Sequence, residues 1–385
     1  MQTSGIMNKS PGPSASSKPV TALVITSHNG PFEQRQVQLK DMRPDEIIVR
    51  MVATGVCHTD VGSAMGKLPP SPPAVLGHEG AGIVEEVGAD VNHLAPGDHV
   101  LLSITSCGAC RPCLRGLPSY CRVGPRLLFG GARADGSHTM SMGDVDIASP
   151  YFGQSSFASR SIVTANCAVK LDKDVPLDVL CPLGCGLQTG AGTVLNDLKP
   201  SVGESIAVFG VGSVGLAAVM AAVRFTPATQ IIAIDINESR LQLAAELGAT
   251  VTINLSGKDV VELIKAATAG EGVDRALDAT GNTAVIEAMI ASAANNGIVA
   301  TVGAAPAGKF VNIEPAEWIG RNVSYVGSCE GSAHPQTFIP ALVEFWKQGR
   351  FPIERLIKRY PFTEINKAID DMHHGRCIKP VLIWP

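Results

Sequence analysis

One histidine and two cysteines on three separate segments have the types needed to hold a single divalent metal ion. They are His78, in Gly77-His78-Glu79-Gly80-Ala81-Gly82, Cys57 before it and Cys185 after it. An imidazole and two thiolates leave the fourth position of a tetrahedral zinc open, and an open position separates a catalytic zinc from a structural one. A second set reads differently. Cys107, Cys110, Cys113 and Cys121 are spaced Cys-x2-Cys-x2-Cys-x7-Cys, four thiolates that close the coordination shell of a structural zinc. An iron–sulfur cluster would also accept four thiolates, but nothing else in the chain suggests electron transfer. The lobe that carries them, 103–125, is expected to lack a helix or strand of its own and to be pinned by its metal.

The third chemistry is dinucleotide binding. Gly210-Val211-Gly212-Ser213-Val214-Gly215 follows a buried apolar run at 205–209 and opens an apolar helical pattern at 216–225. A second apolar run, 230–234, ends in Asp235. Strand, glycine turn, helix, strand and acid form the βαβ fingerprint in its required context. The glycines allow a tight turn under a pyrophosphate that sits on the helix N-terminus. Asp235, twenty residues after Gly215, is placed to accept from ribose hydroxyls and to repel a 2′-phosphate, which favours NAD over NADP.

These residues need elements to position them. Short apolar runs at 20–25 and 47–52 alternate with polar turns, and strands are predicted again at 81–87 and 99–104. Beyond about 204 the pattern changes. Helices are predicted at 238–247, 260–267 and 284–293, and strands at 250–253, 273–279, 298–302 and 322–327, which makes six parallel strands in all. Helical patterns at 337–347 and 365–373 and a last strand at 380–383 have apolar faces that the first domain must cover. The fold class is therefore α/β: a β-rich catalytic domain with a doubly wound six-stranded sheet. The domains are 20–188 with 331–385, and 189–330 for the cofactor. Residues 1–19 are rich in Ser, Pro and Gly without an apolar run, and are expected to be a disordered tail, neither signal peptide nor presequence. A net charge of −4 gives no electrostatic reason to expect nucleic acid or a membrane surface as partner. Ten cysteines spread thinly over 385 residues read as reduced thiols in the cytoplasm, not as a secreted disulfide scaffold. Cys167, Cys181, Cys329 and Cys377 are read as packing.

On these motifs the sequence resembles the zinc-dependent alcohol dehydrogenases of the medium-chain dehydrogenase/reductase superfamily. Gly184-Cys185-Gly186-Leu187-Gln188-Thr189-Gly190 and Gly349-Arg350-Phe351-Pro352 are similar to the aryl-alcohol (benzyl alcohol) branch. The resemblance implies a GroES-like catalytic domain around a Rossmann domain. It implies catalytic zinc on Cys57, His78 and Cys185, with Glu79 approaching the metal during ligand exchange, and structural zinc on the four-cysteine lobe. Asp60 matches a carboxylate that orients the histidine, and Thr59 a hydroxyl that contacts the substrate oxygen. His58 and Lys379 match residues that approach the cofactor pyrophosphate, and Arg240 a basic residue near the adenosine ribose. Thr189 and Val302, with Gly210, Gly212, Ser213, Val214 and Gly215, complete the implied cofactor contacts. Many relatives end the proton relay with a histidine five residues after the first cysteine ligand; here that position is Gly62, which leaves the relay to water or to His58. Ser103 matches a position that lines the substrate pocket, where a serine would widen it; 127–129 and Tyr151-Phe152 would supply apolar walls. The implied activity is hydride transfer between NAD(H) and a primary or secondary alcohol, aldehyde or ketone, aromatic or bulky, by a homodimer or homotetramer. The alternatives are a carbonyl reductase for a larger biosynthetic intermediate, a hydroxymethylglutathione dehydrogenase, and a non-redox protein reusing the fold.

Overall fold

The computed structural model describes residues 19–385, so the expected tail at 1–19 lies outside the described residues except for Pro19. Three sheets organise the chain. A five-stranded sheet runs Ala74–Val75, Val20–Ile25, Glu33–Leu39, Met140–Met142, Val145–Ile147. Beside it a larger sheet runs Ala168–Leu171, His99–Leu102, Glu79–Val87, Glu46–Gly55, Lys379–Ile383, Ile357–Pro361, with Arg160–Thr164 also pairing with Glu46–Gly55. The last strand of the chain therefore lies against one of the first, Val381 opposite Gly55. Glu46–Gly55 can sit between partners because its apolar residues Ile47, Ile48, Val49, Met51 and Ala53 are all fully buried.

The third sheet is parallel throughout, in the order Val251–Asn254, Gln230–Asp235, Ser205–Phe209, Val273–Asp278, Ala293–Thr301, Ser324–Gly327. The strand order reverses beside Ser205–Phe209, and ligands bind in the crevice at the carboxyl ends of strands at such a point. Gly210-Val211-Gly212 leaves one of those ends. The helix that follows, Ser213–Phe225, begins three residues earlier than its apolar pattern predicts and buries Gly215 through Ala222 without a break. Its alanines let it pack closely between the sheet and helix Gly186–Gly192, so no polar stripe is needed.

Several elements depart from the sequence expectation. The four-cysteine lobe holds two short helical turns, Arg111–Leu114 and Pro118–Tyr120, each with a proline in its first two positions. The polar cluster after Gly55 is the start of helix His58–Ala64. Its N-cap is Cys57, whose backbone N–H is accepted by Asp60 Oδ2 at 3.0 Å. Between 177 and 198 a succession of short helical elements, without a long amphipathic period, carries Cys185 as the N-cap of Gly186–Gly192 and ends in the π-turn Thr193–Leu198.

Candidate active site

Three elements meet at the metal candidates. Cys57 comes from the cap of helix His58–Ala64, His78 from the residue before strand Glu79–Val87, and Cys185 from the cap of Gly186–Gly192. Their potential ligand atoms and a carboxylate oxygen of Glu79 all lie within 4.8 Å of one another. His78 Nδ1 is 2.8 Å from Asp60 Oδ1, and both residues are essentially buried. Burial works against a charge on His78, but the Asp60 carboxylate and the Cys57 sulfur outweigh it and hold the imidazole well above its usual pKa. The other ring nitrogen, Nε2, is buried without a hydrogen-bond partner. A buried polar nitrogen is costly to leave unpaired, and one aimed at two cysteine sulfurs fits a metal ion. The thiols point the same way: a hydrogen bond from Cys185 holds Cys57 well below the usual thiol range.

Glu79 is fully buried, and burial pushes its carboxyl up to about 7. Lys379 answers it. Its Nζ donates to both Glu79 oxygens, at 2.8 and 2.9 Å, and to Val56 O at 3.2 Å. Lys379, expected at the cofactor pyrophosphate, is thus buried against Glu79 with its donors engaged there. A lysine on an interior strand next to a desolvated carboxylate has no better partner. Ser103 is also placed differently. Instead of lining an open pocket it is fully buried, donating from Oγ to Gly184 O at 2.7 Å and accepting from Gln188 Nε2 at 2.7 Å.

Aromatic rings close in on the histidine. Phe152 stacks on His78 with centroids 4.4 Å apart, Tyr151 meets it edge-on at 5.9 Å, and Phe129 packs against both aromatics. Thr59 Oγ1 stands 3.6 Å from Cys57 Sγ, and His58, one residue earlier, is exposed within electrostatic reach of Lys379 and Arg240.

The four lobe cysteines also bring their sulfurs within 4.8 Å of one another. Backbone N–H groups of Arg122 and Cys113 pull the Cys110 thiol down to about 6, whereas burial and Cys110 push Cys113 up to about 11. Four sulfurs clustered this closely fit the donor set of a closed thiolate site.

The crevice of the parallel sheet has the expected cradle. Gly210 adopts φ 85°, and a Cβ on Gly215 would lie 2.0 Å from Gly210 O, so neither position admits another residue without movement. Asp235 accepts the N–H of Val211 at 2.8 Å and those of Ile236 and Asn237 at 2.8 and 2.9 Å. Asn237 caps helix Glu238–Glu246 and so presents Arg240 in its first turn. Arg240 Nε is buried without a partner, which fits an acidic or hydroxyl-bearing ligand beside Asp235. Val302 follows the end of strand Ala293–Thr301. Next to it, buried Asp278 accepts from Thr280, Gly281 and Thr301 and shapes the rim of the crevice. Thr189 donates to Cys185 O at 2.8 Å and so joins the cofactor side to the metal side.

Residues 43–173 match the alcohol dehydrogenase GroES-like domain, and residues 213–347 the zinc-binding dehydrogenase family. The chain is 41% identical over 365 residues to geraniol dehydrogenase of Castellaniella defragrans, covering 94% of this chain and 97% of that one. The chain belongs to the zinc-dependent alcohol dehydrogenases. The crystal structure of benzyl alcohol dehydrogenase from Acinetobacter calcoaceticus superposes with a TM-score of 0.92 at 40% identity, covering 96% and 100% of the two chains. An alcohol dehydrogenase zinc-binding domain protein from Burkholderia ambifaria gives 0.93 at 46% identity, covering 96% and 99%. The chain is thus a GroES-like and Rossmann-type dehydrogenase of the medium-chain superfamily, an NAD- and zinc-dependent alcohol oxidoreductase. The alternative of a non-redox protein on this fold gains nothing from these relatives.

Sequence reasoning missed three buried side chains of the site. Gln154 accepts from Gly80 N and donates to His78 O and Ser103 O. Gln188 donates to Ser103 Oγ, Gly184 O and Glu330. Glu330 reaches Cys185 from a turn 145 residues away. Gln154 and Glu330 lie outside the metal and glycine motifs, and only the tertiary fold brings them to the centre. Gln188 sits in the stretch 184–190, but nothing in that stretch marks its side chain as a partner of Ser103 and Glu330.

Proposed function

We propose that the protein interconverts aromatic or otherwise bulky primary alcohols and their aldehydes with NAD(H). The observation that carries this reading is the unpartnered His78 Nε2, facing the Cys57 and Cys185 sulfurs while Phe152 stacks on its ring and Phe129 packs beyond. The names of two similar proteins, a geraniol and a benzyl alcohol dehydrogenase, support an unsaturated substrate.

Zinc on Cys57, His78 and Cys185 would supply Lewis acidity toward the substrate oxygen, and NAD would supply the hydride acceptor. The chain's own residues do the rest. Asp60 fixes the tautomer and tilt of His78 by holding Nδ1. Glu79, held back by Lys379, is a buried carboxylate in reserve beside the ligands. Thr59 carries the substrate's proton outward, and water continues the relay past Gly62. Gly210 to Gly215 cradle the pyrophosphate with His58 nearby, while Asp235 and Arg240 hold the ribose. The fully buried Ser103, Gln154 and Gln188 keep water out from beneath the centre.

We further assign 20–188 with 331–385 to the catalytic domain and 189–330 to the cofactor domain, a division that the three sheets support. We place the protein in the cytoplasm on its free thiols; among the described residues no helix is long and apolar enough to cross a membrane. A homodimer or homotetramer is proposed on the unpaired edge of strand Ser324–Gly327. The test of function is a panel of alcohols and aldehydes with NAD(H) and NADP(H), followed by nicotinamide absorbance in both directions. Benzylic and long allylic alcohols should give the highest kcat/KM with NAD; activity confined to small aliphatic alcohols would overturn the substrate class.

A further inference from the structure

Between strand Ser324–Gly327 and helix Pro335–Lys347 the chain makes the turn Glu330–Ser332, whose three residues all have left-handed backbone. Their φ angles are 52°, 64° and 49°. Only Gly331 adopts this region freely; for Glu330 and Ser332, which carry a Cβ, it is strained. Such a conformation persists only where its surroundings impose it.

Two sets of contacts do so. On the inner side the turn lies backbone against backbone on the Cys185 helix. A Cβ on Gly331 would be 2.6 Å from Gly192 Cα, and Asn196 Nδ2 donates to Gly331 O at 2.9 Å. Ser328 donates to Asp197 Oδ2 at 2.6 Å, with its Oγ 2.9 Å from Thr193 Oγ1. On the outer side stands Tyr120, which lies between Cys113 and Cys121 in the four-cysteine lobe. Its hydroxyl is 2.8 Å from Ser332 Oγ and accepts Cys329 N–H at 3.2 Å.

The strained turn delivers one buried carboxylate. Glu330 Oε2 accepts from Gln188 Nε2 at 2.9 Å and lies 3.4 Å from Thr189 Oγ1, whose hydrogen goes to Cys185 O, and Oε1 lies 3.3 Å from Cys185 Sγ. These three contacts fall on the cap and the first turn of the helix that presents the Cys185 ligand. We propose that Glu330 is a positioning residue for the catalytic metal centre, and that Tyr120 ties its turn to the four-cysteine lobe. The closed thiolate site thereby sets the geometry at Cys185. The proposal rests on the metal reading given under Proposed function.

The experiment loads the full-length protein and its Glu330→Ala, Glu330→Gln and Tyr120→Phe variants with Co2+. It records the thiolate-to-cobalt absorption and the rate at which a chelator strips the Cys57–His78–Cys185 site. Glu330→Ala should shift the absorption and speed stripping by about 10-fold or more, the scale on which partners of metal ligands act. Glu330→Gln keeps an acceptor for Gln188 and should stay close to wild type. Tyr120→Phe, which removes one hydroxyl from the surface, should move in the alanine direction by a smaller factor while the lobe keeps its metal. If Glu330→Ala does not fold, Tyr120→Phe alone decides. Variants identical to a cobalt-binding wild type overturn the positioning role only. A Glu330→Ala effect without a Tyr120→Phe effect overturns the link to the lobe. A wild type that takes up cobalt in the four-cysteine lobe alone overturns the metal-centre reading itself.

Discussion

What fits His78 to be a metal ligand is its surroundings. Asp60 holds Nδ1 at 2.8 Å, so Nε2 is the ring nitrogen left without a partner beside the two cysteines. Asp60→Asn should leave the chain folded yet weaken metal binding at this site by about 10- to 100-fold, measured by competition with a chromophoric chelator. At the cofactor end, Asp235 is fixed by three backbone N–H groups and cannot turn away from a ligand. Asp235→Ser should raise the KM for NAD and lower that for NADP; an unchanged preference would remove Asp235 from cofactor selection. His58→Gln should raise the NAD dissociation constant and leave the pH–rate profile unchanged, because water carries the relay past Gly62. Loss of a catalytic pKa in that variant would make His58 the relay group instead.

Among the elements, the glycine turn and the C-terminal helix carry distinct loads. Gly215→Ala puts a methyl 2.0 Å from Gly210 O, a backbone atom that cannot swing aside. Overpacking of this kind costs about 1–3 kcal/mol, so the variant should melt earlier and bind NADH weakly in a fluorescence titration. Helix Ile365–His373 is held through Asp371, which accepts from Tyr360 Oη at 2.6 Å, Arg376 Nε at 2.7 Å and Lys358 Nζ at 3.0 Å. Those bonds hold its carboxyl well below the usual range. A depressed carboxyl contributes its stability above the unfolded pKa of about 4 and loses it as pH falls toward the folded value. The stability gap between wild type and Asp371→Asn in urea melts should therefore narrow below about pH 4. The parallel sheet was legible because its central strands are short buried runs closed by turn signals, and Ser205–Phe209 begins and ends where that pattern does. Helix His58–Ala64 was not, since it is short, polar and nucleated by an Asp60 side chain that also serves His78. The pairing of Lys379 with Glu79 was not legible for a related reason: burial beside Glu79 is a property of the assembled sheet. Glu330 had no sequence signal at all, because its role comes from backbone strain and from a helix 145 residues away.

The whole molecule has two surfaces that local motifs do not account for. Strand Ser324–Gly327 ends the parallel sheet, and Phe310 and Ile319 stand 82% and 83% exposed on neighbouring segments. Apolar side chains beside an open edge suit pairing with a second copy about a two-fold axis. Ile319→Glu should shift the sedimenting species toward the monomer while leaving the fold intact. The four-cysteine lobe contributes Tyr120 to the turn Glu330–Ser332, so stripping its metal should lower the melting temperature of the entire chain. The central claim remains that Cys57, His78 and Cys185 form a catalytic metal centre beside an NAD crevice. The most direct measurement is the metal content of wild type and His78→Ala, taken together with NAD-linked oxidation of benzyl alcohol on the same samples. The account predicts about two zinc ions per active wild-type chain, and about one zinc ion and no activity in the variant. A fully active His78→Ala, or a wild type that is active with zinc in the four-cysteine lobe alone, would contradict it.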